Sequence, residues 1–264
     1  MFPINRSSLR TVDILNLIAE SKSALTITEI SNFLQMPKTS TFDIVYALIS
    51  KGFLEVADER LKTFGLGIQA FKVGMAYLEK TDLHQAARPL LEYMMNEAGE
   101  TTFLAMQKNN QIVYLDKVEA SSSIRTASCL GSTNPMHCTG VGKALLAAYP
   151  NERVRSIISS EGMLPKTEYS LPNLAALLAD LDRIRKRGYS IDCRESEVEV
   201  FCVAAPVYDR TGSAVAAMSI AGMASRFIGK EERICFCGNL VRATVLRLSQ
   251  KLGFTGNSLY SDFQ

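Results

Sequence analysis

Apolar residues recur at helical spacing three times in the first fifty positions and then give way to short alternating runs. Val12, Ile14, Leu15, Leu17 and Ile18 follow Ser8-Leu9-Arg10 and predict an amphipathic helix ending near Ser21-Lys22-Ser23. A second helix opens at Thr26, whose hydroxyl can cap it while Glu29, three places on, reaches back in a capping box. Ile27, Ile30 and Leu34, with Phe33 beside them, share one face. Gln35-Met36-Pro37 stops this helix, because proline pushes the residue before it out of the helical region. A third helix follows at once, capped by Thr39 or Ser40, with Ile44, Val45, Leu48 and Ile49 as its buried stripe and Lys51-Gly52 at its end. Two short helices joined so tightly form either an ordinary helical hairpin or a helix-turn-helix, whose second helix can enter a major groove. Phe53-Leu54-Glu55-Val56 and Leu61-Lys62-Thr63-Phe64, around the polar turn Asp58-Glu59-Arg60, read as a hairpin behind them. Helix, helix, helix, hairpin is the winged helix-turn-helix order, and it favours the second reading.

After Gly65-Leu66-Gly67, Ile68, Phe71, Met75 and Leu78 recur at helical spacing to about Lys80 and predict a connecting helix, packed on a second copy or on its own domain. A further helix spans Leu83 to Ala98 and ends at Gly99. Strands are then predicted over 101–106 and 112–115, around Lys108-Asn109-Asn110, with a third over Ile124 to Cys129. A loop leads to a helix beginning near Thr139 that buries Val141, Ala144, Leu145 and Ala148. Residues Asn151 to Arg187 read as helical, interrupted at Met163-Leu164-Pro165 and closed by Gly188. Strands return at 202–207 and 215–220 across the turn Asp209-Arg210-Thr211-Gly212, and a last helix covers about Lys230 to Leu252, burying Ile234, Leu240, Val241, Val245 and Leu248. The remainder, 254–264, reads as a loose tail. Strands and helices mixed around one antiparallel sheet make an α+β domain from about Asp82 onward.

A chain of 264 residues that is 47% hydrophobic has room for two cores, and its formal charge of +2 supplies no strong basic field. No apolar run approaches the roughly 18 residues of a membrane span, and MFPINRSSLR lacks the apolar core of a signal peptide, so a cytoplasmic location is expected. Six cysteines without zinc-finger spacing are expected to be reduced thiols there. Arg6 and Arg10 stand where a basic arm can touch phosphates or a minor groove, the alternative being a solvated tail.

Nearly the full length of the chain resembles the IclR-type family of bacterial transcriptional regulators. The helix-turn-helix with its wing and FGLG, the run NPMHCTGVGKALLA and the run GYSIDCRESEVEVFCVAAPVYDRTGSAVAAMSIAG carry the resemblance. It implies a winged helix-turn-helix over 1–66, a linker and dimerisation helix over 67–81, a GAF-like antiparallel-sheet effector domain over 82–253 and a tail over 254–264. The expected partners are double-stranded operator DNA, a small carboxylate or sugar acid, and further copies of the chain as a homodimer or dimer of dimers. Repression is the expected sign. No catalytic residue, cofactor, metal or membrane contact is expected. Arg10, Thr28, Lys38, Thr39, Ser40, Thr41 and Tyr46 are the candidates for touching DNA. By motif position the effector would meet Gly131, Ser132 and Met136 on the loop, Asp192 in GYSID, Cys202 in CVAAP and Ser219 in AMSIAG. Glycine and backbone N–H groups approach an anion closely, a hydroxyl donates to a carboxylate, and a thiol is a small apolar wall with a weak donor.

Two positions depart from the family pattern. Asp43 stands where many relatives have an arginine, which puts a negative charge near the DNA backbone. Ala221 stands where some relatives have a second serine, which points to an effector larger or less polar than a short oxoacid. Two other chemistries remain on this scaffold: a thiol or redox centre built on His137-Cys138 and the remaining cysteines, and a metal site on Cys235, Cys237 and a histidine. Neighbours in an extended loop point apart, and residues two apart on a helix lie on different faces, so neither pair is well placed.

Overall fold

The computed structural model describes residues 5–79, 82–120 and 129–260. The chain divides into two compact units, Met1–Lys80 and Thr81–Gln264.

The first unit runs α1 (Arg6–Glu20), β1 (Leu25–Thr26), α2 (Ile27–Phe33), α3 (Lys38–Ser50), β2 (Leu54–Asp58), β3 (Thr63–Leu66) and α4 (Ile68–Glu79). Asn5 caps α1, accepting from the N–H groups of Ser7 and Ser8, so Arg6 and Arg10 belong to a helix rather than to an extended arm. The capping box of α2 forms as its spacing predicts: Glu29 N–H donates to Thr26 Oγ1, and Thr26 N–H donates to the Glu29 carboxylate at 2.8 Å. Gln35 in the left-handed region (φ 49°) and Ser31 Oγ donating to Met36 O at 2.6 Å turn the chain into α3. Neither Thr39 nor Ser40 caps α3. Pro37 occupies the N-cap, which suits a residue without an N–H. Ile14, Ile18, Ile30, Val45, Leu48, Leu54 and Phe64 meet in one core with Leu25 and Met36. The hairpin β2–β3 is widened to three strands by β1, with Leu25 opposite Phe64, a pairing the sequence reading did not include.

The second unit runs α5 (Asp82–Ala98), β4 (Thr101–Lys108), β5 (Gln111–Val118), β6 (Thr133–Pro135), α6 (Gly140–Ala147), α7 (Asn151–Glu161), α8 (Leu174–Arg187), β7 (Ser190–Cys193), β8 (Val200–Tyr208), β9 (Ala214–Met223) and α9 (Glu231–Lys251). The strands form one antiparallel sheet in the order β6-β5-β4-β9-β8-β7. Asn109 and Asn110, both at positive φ, make the two-residue turn between β4 and β5 that matches the twist of a hairpin. Helices α5 and α9 pack on the sheet, and Thr102 Oγ1 donates to Leu91 O of α5 at 3.0 Å. Residues one position along each strand face α6 instead. All eight residues of α6 are buried, which explains why its apolar pattern runs right round it.

The mixed α+β architecture agrees with the sequence reading. The third strand expected over 124–129 falls almost wholly outside the described residues, and β6 forms where the sequence predicts a loop. Leu240 and Ala148 are half-buried rather than buried. The loose tail is a correction. Leu259 and Tyr260 are buried, Tyr260 donates to Ala144 O of α6 at 3.2 Å, and Phe254 stacks on Tyr208 with ring centroids 5.0 Å apart. Among the described residues no helix is long and apolar enough to cross a membrane.

Candidate functional site

Two surfaces collect the chemistry, one in each unit. On α3 the core side is set by Thr41, Val45 and Leu48, at i, i+4 and i+7. Thr41 was expected on the DNA side. It is 0% exposed, and its hydroxyl donates to Pro37 O at 3.1 Å, so it belongs to the core. Lys38 and Thr39 are exposed, Ser40 is half-buried, and Thr28 of α2 is exposed. Tyr46 is exposed, with its ring 4.3 Å from that of Phe42 and edge-on to Phe64 of the wing. Arg10 is half-buried on α1.

In the second unit, strand register brings distant residues together. Asp192 lies opposite Cys202, Cys202 opposite Ala221 and Ala221 opposite Thr101; two positions along, Ala204 lies opposite Ser219 and Ser219 opposite Phe103. The two rungs are two residues apart, so their side chains share the face toward α6. There Asp192, Cys202, Ala221, Ser219 and Phe103 line a cavity of ≈ 30 Å³ with Tyr114, Thr139, Gly140, Val141, Ser196, Glu197 and Val200. Asp192, Cys202 and Ser219 are therefore brought together. Gly131, Ser132 and Met136 are not among the lining residues: Gly131 and Ser132 bond to the backbone of Tyr114, and Met136 lies on another cavity, beside Leu164 and Lys166. The close fit of α6 depends on its glycines. A Cβ on Gly140 would stand 2.7 Å from Cys202 Sγ, and one on Gly142 would enter the backbone of Met136.

Asp192 is fully buried and accepts from Glu195 N–H at 2.8 Å and from Ser196 Oγ at 2.6 Å. Burial outweighs these bonds and the charge of Lys143, pushing its carboxyl up to about 6. Lys143, 1% exposed on α6, bridges Asp180 of α8 at 2.9 Å and Glu195 at 2.5 Å. Burial also drives Glu195 up, to about 7, against the pull of Lys143, and its second oxygen has no hydrogen-bond partner. The cavity thus sits beside a buried acidic group able to give or take a proton near neutral pH.

The thiols are in the opposite condition. Burial pushes Cys202 and Cys138 each up to about 12, which keeps them protonated and poor nucleophiles. His137 bonds Leu164 O at 3.1 Å through Nε2, away from thiol chemistry. Cys235 is exposed and Cys237 buried, so the two do not converge. Among the described residues no group of three His, Cys, Asp or Glu is placed to hold a metal.

The sequence reading missed Phe103, Tyr114 and the Ser196-Glu197 turn. Phe103 was recoverable by counting alternate residues from Thr101, but only once β4 was known to pair with β9.

Comparison with known proteins places these surfaces in context. The family described as "Bacterial transcriptional regulator IclR C-terminal" matches residues 75–250, and "IclR helix-turn-helix domain" matches residues 7–58. The HTH-type transcriptional repressor AllR of Escherichia coli (strain K12) is 35% identical over 244 residues, covering 92% of this chain and 89% of the relative. The crystal structure of the Thermotoga maritima IclR superposes with a TM-score of 0.80 at 29% identity, covering 94% of this chain and 99% of that one. An IclR homolog from Microbacterium hydrocarbonoxydans, solved in complex with 4-hydroxybenzoate, shares the fold with a TM-score of 0.80 at 20% identity over 93% of this chain and 98% of that one.

Proposed function

This chain belongs to the IclR family of bacterial transcriptional regulators, and from that premise we propose that it is a repressor whose operator affinity is set by a small organic or sugar acid. The observation that carries the reading is the convergence of Asp192, Cys202 and Ser219 on adjacent rungs of one sheet face, around a cavity in the second unit. Ser219 donates to the acid, Asp192 bonds its hydroxyl or shares a proton with it, and Phe103 and Tyr114 hold its apolar part. The space of ≈ 30 Å³ holds about one water, so a ligand of several heavy atoms must spread α6, the sheet and the 194–197 turn apart. Such a displacement is what couples the ligand to a second state of the protein. Acid chemistry is in keeping with the 4-hydroxybenzoate held by the Microbacterium hydrocarbonoxydans homolog, and repression with the naming of AllR.

In the first unit the proposed DNA contacts are Lys38, Thr39, Ser40 and Tyr46 on α3, Thr28 on α2 and Arg10 on α1. The proposed divisions are the winged helix-turn-helix over 1–66, the linker helix over 67–81 and the effector domain from 82, to which the docked residues 254–260 are now added. Ile68, Phe71 and Val73 expose apolar side chains on α4, which supports pairing of two copies through this helix on a two-half-site operator.

The test is a thermal-shift screen of wild type and Ser219→Ala against small carboxylates and sugar acids. A ligand that binds only the folded state raises the melting temperature. One acid is expected to stabilise the wild type and to lose most of that effect in Ser219→Ala, with operator binding of the unliganded variant unchanged. An acid that shifts both proteins equally would move the effector out of this cavity.

A further inference from the structure

We propose that Asp43 reads a base: its carboxylate accepts a hydrogen bond from the amino group of a cytosine in the major groove and fixes one C·G pair in each operator half-site. The inference rests on the assignment of α3 as the DNA-reading helix.

The helix places Asp43 at the centre of its outer face. At about 100° per residue, Asp43 lies roughly 200° round from Thr41, with Val45 and Leu48 grouped around Thr41 on the core side. Thr39, Ala47 and Ser50 flank it on the outer face; Phe42 and Tyr46 stand to one side, Tyr46 against the wing. Asp43 is exposed, and among the described residues it makes no hydrogen bond or ion pair. Neither a structural partner nor a cap explains the carboxylate.

An unneutralised carboxylate on a groove-facing helix weakens binding to every duplex through repulsion by the phosphates. It becomes favourable only against a donor. The major groove offers amino donors on cytosine and adenine alone; guanine and thymine present acceptors to a probe from this side. Adenine sets its N7 acceptor beside the amino group, where it repels the second carboxylate oxygen. Cytosine has no such neighbour, so the pairing selects cytosine and rejects guanine at the same place. The side chain of aspartate is short, and it reaches a base edge only if the helix backbone comes close. Thr39, Ala47 and Ser50 are small, and they leave room for that approach.

The test is selection from duplexes with randomised half-sites by the full-length wild type, Asp43→Asn and Asp43→Ala. The wild-type pool is expected to hold one fixed C·G pair in each half-site. Asparagine, which bonds adenine through both N6 and N7, is expected to convert that pair to A·T. Alanine is expected to lose the preference there by about tenfold or more, to keep preferences elsewhere and to bind random duplex more tightly. Identical pools from all three proteins, or a fixed pair other than C·G in the wild type, would overturn the assignment of Asp43 while leaving α3 as the reader. A wild-type pool with no enriched sequence at all would overturn the role of α3, and the inference with it.

Discussion

Asp192 and Glu195 hold protons in the folded protein that the unfolded chain would release. Their folded values of about 6 and about 7 stand above the ordinary 3.8 and 4.5. Between those limits the native state binds more protons than the unfolded state, so this contribution to stability is complete below about pH 4 and is lost as pH rises through about 7. Thermal denaturation from pH 4 to pH 8 should show the second unit weakening across that window, with the slope reduced in Asp192→Asn. An unchanged slope would mean that Asp192 ionises no differently on folding. Thr41 carries the complementary lesson at this scale. Its hydroxyl suggested a groove contact, yet its spacing with Val45 and Leu48 already put it on the buried stripe. Helical phase, not side-chain chemistry, decides which way a residue points.

At the scale of elements, the spacing of caps and stops found most helices within a residue or two. Thr26 and Glu29, Thr139 before α6 and Gly188 after α8 each act through a local bond or a local φ, and local physics is legible in sequence. Strands β1 and β6 were not legible, because two and three residues show no period and exist only through their partners. The C-terminal segment was misread for the same reason: Phe254, Leu259 and Tyr260 have no periodic neighbours, and their partners Tyr208 and Ala144 lie far away in the chain. The cavity was half legible. Asp192, Cys202 and Ser219 came from motifs, whereas Phe103 and Tyr114 required strand register. Truncation after Gly253 is expected to remove the burial of Leu259 and Tyr260, worth about 1.5–3 kcal/mol for each large side chain. Chemical denaturation of the truncated protein should reveal the loss in the second unit. A truncated chain as stable as the full one would show the docking to be marginal in solution.

At the scale of the whole molecule, the two units have separate cores, and the proposed regulation needs both. The helix that follows the wing presents Phe71, 62% exposed, one turn from the exposed Ile68. Placing a charge there by Phe71→Glu should divide the proposed dimer without disturbing either core. Joined half-site readers gain about 10²–10⁴ in avidity over separate ones, so operator affinity is expected to fall by about a hundredfold or more. The acid-induced thermal shift should persist, because Ser219 and Asp192 belong to the other unit. Sedimentation and operator titration of this variant check both halves of that expectation, and a variant that sediments as wild type would place the contact between copies elsewhere.

Among the described residues, the sheet of the second unit ends in strands of three and four residues, and the three-residue one carries Pro135. Short margins of this kind offer little unpaired backbone to a neighbour, and proline subtracts one donor more. Among the described residues, the margins of this sheet therefore give a second copy little backbone to pair with. Edge-to-edge growth of this sheet is disfavoured by the brevity of those two margins, a protection that does not depend on the modest net charge.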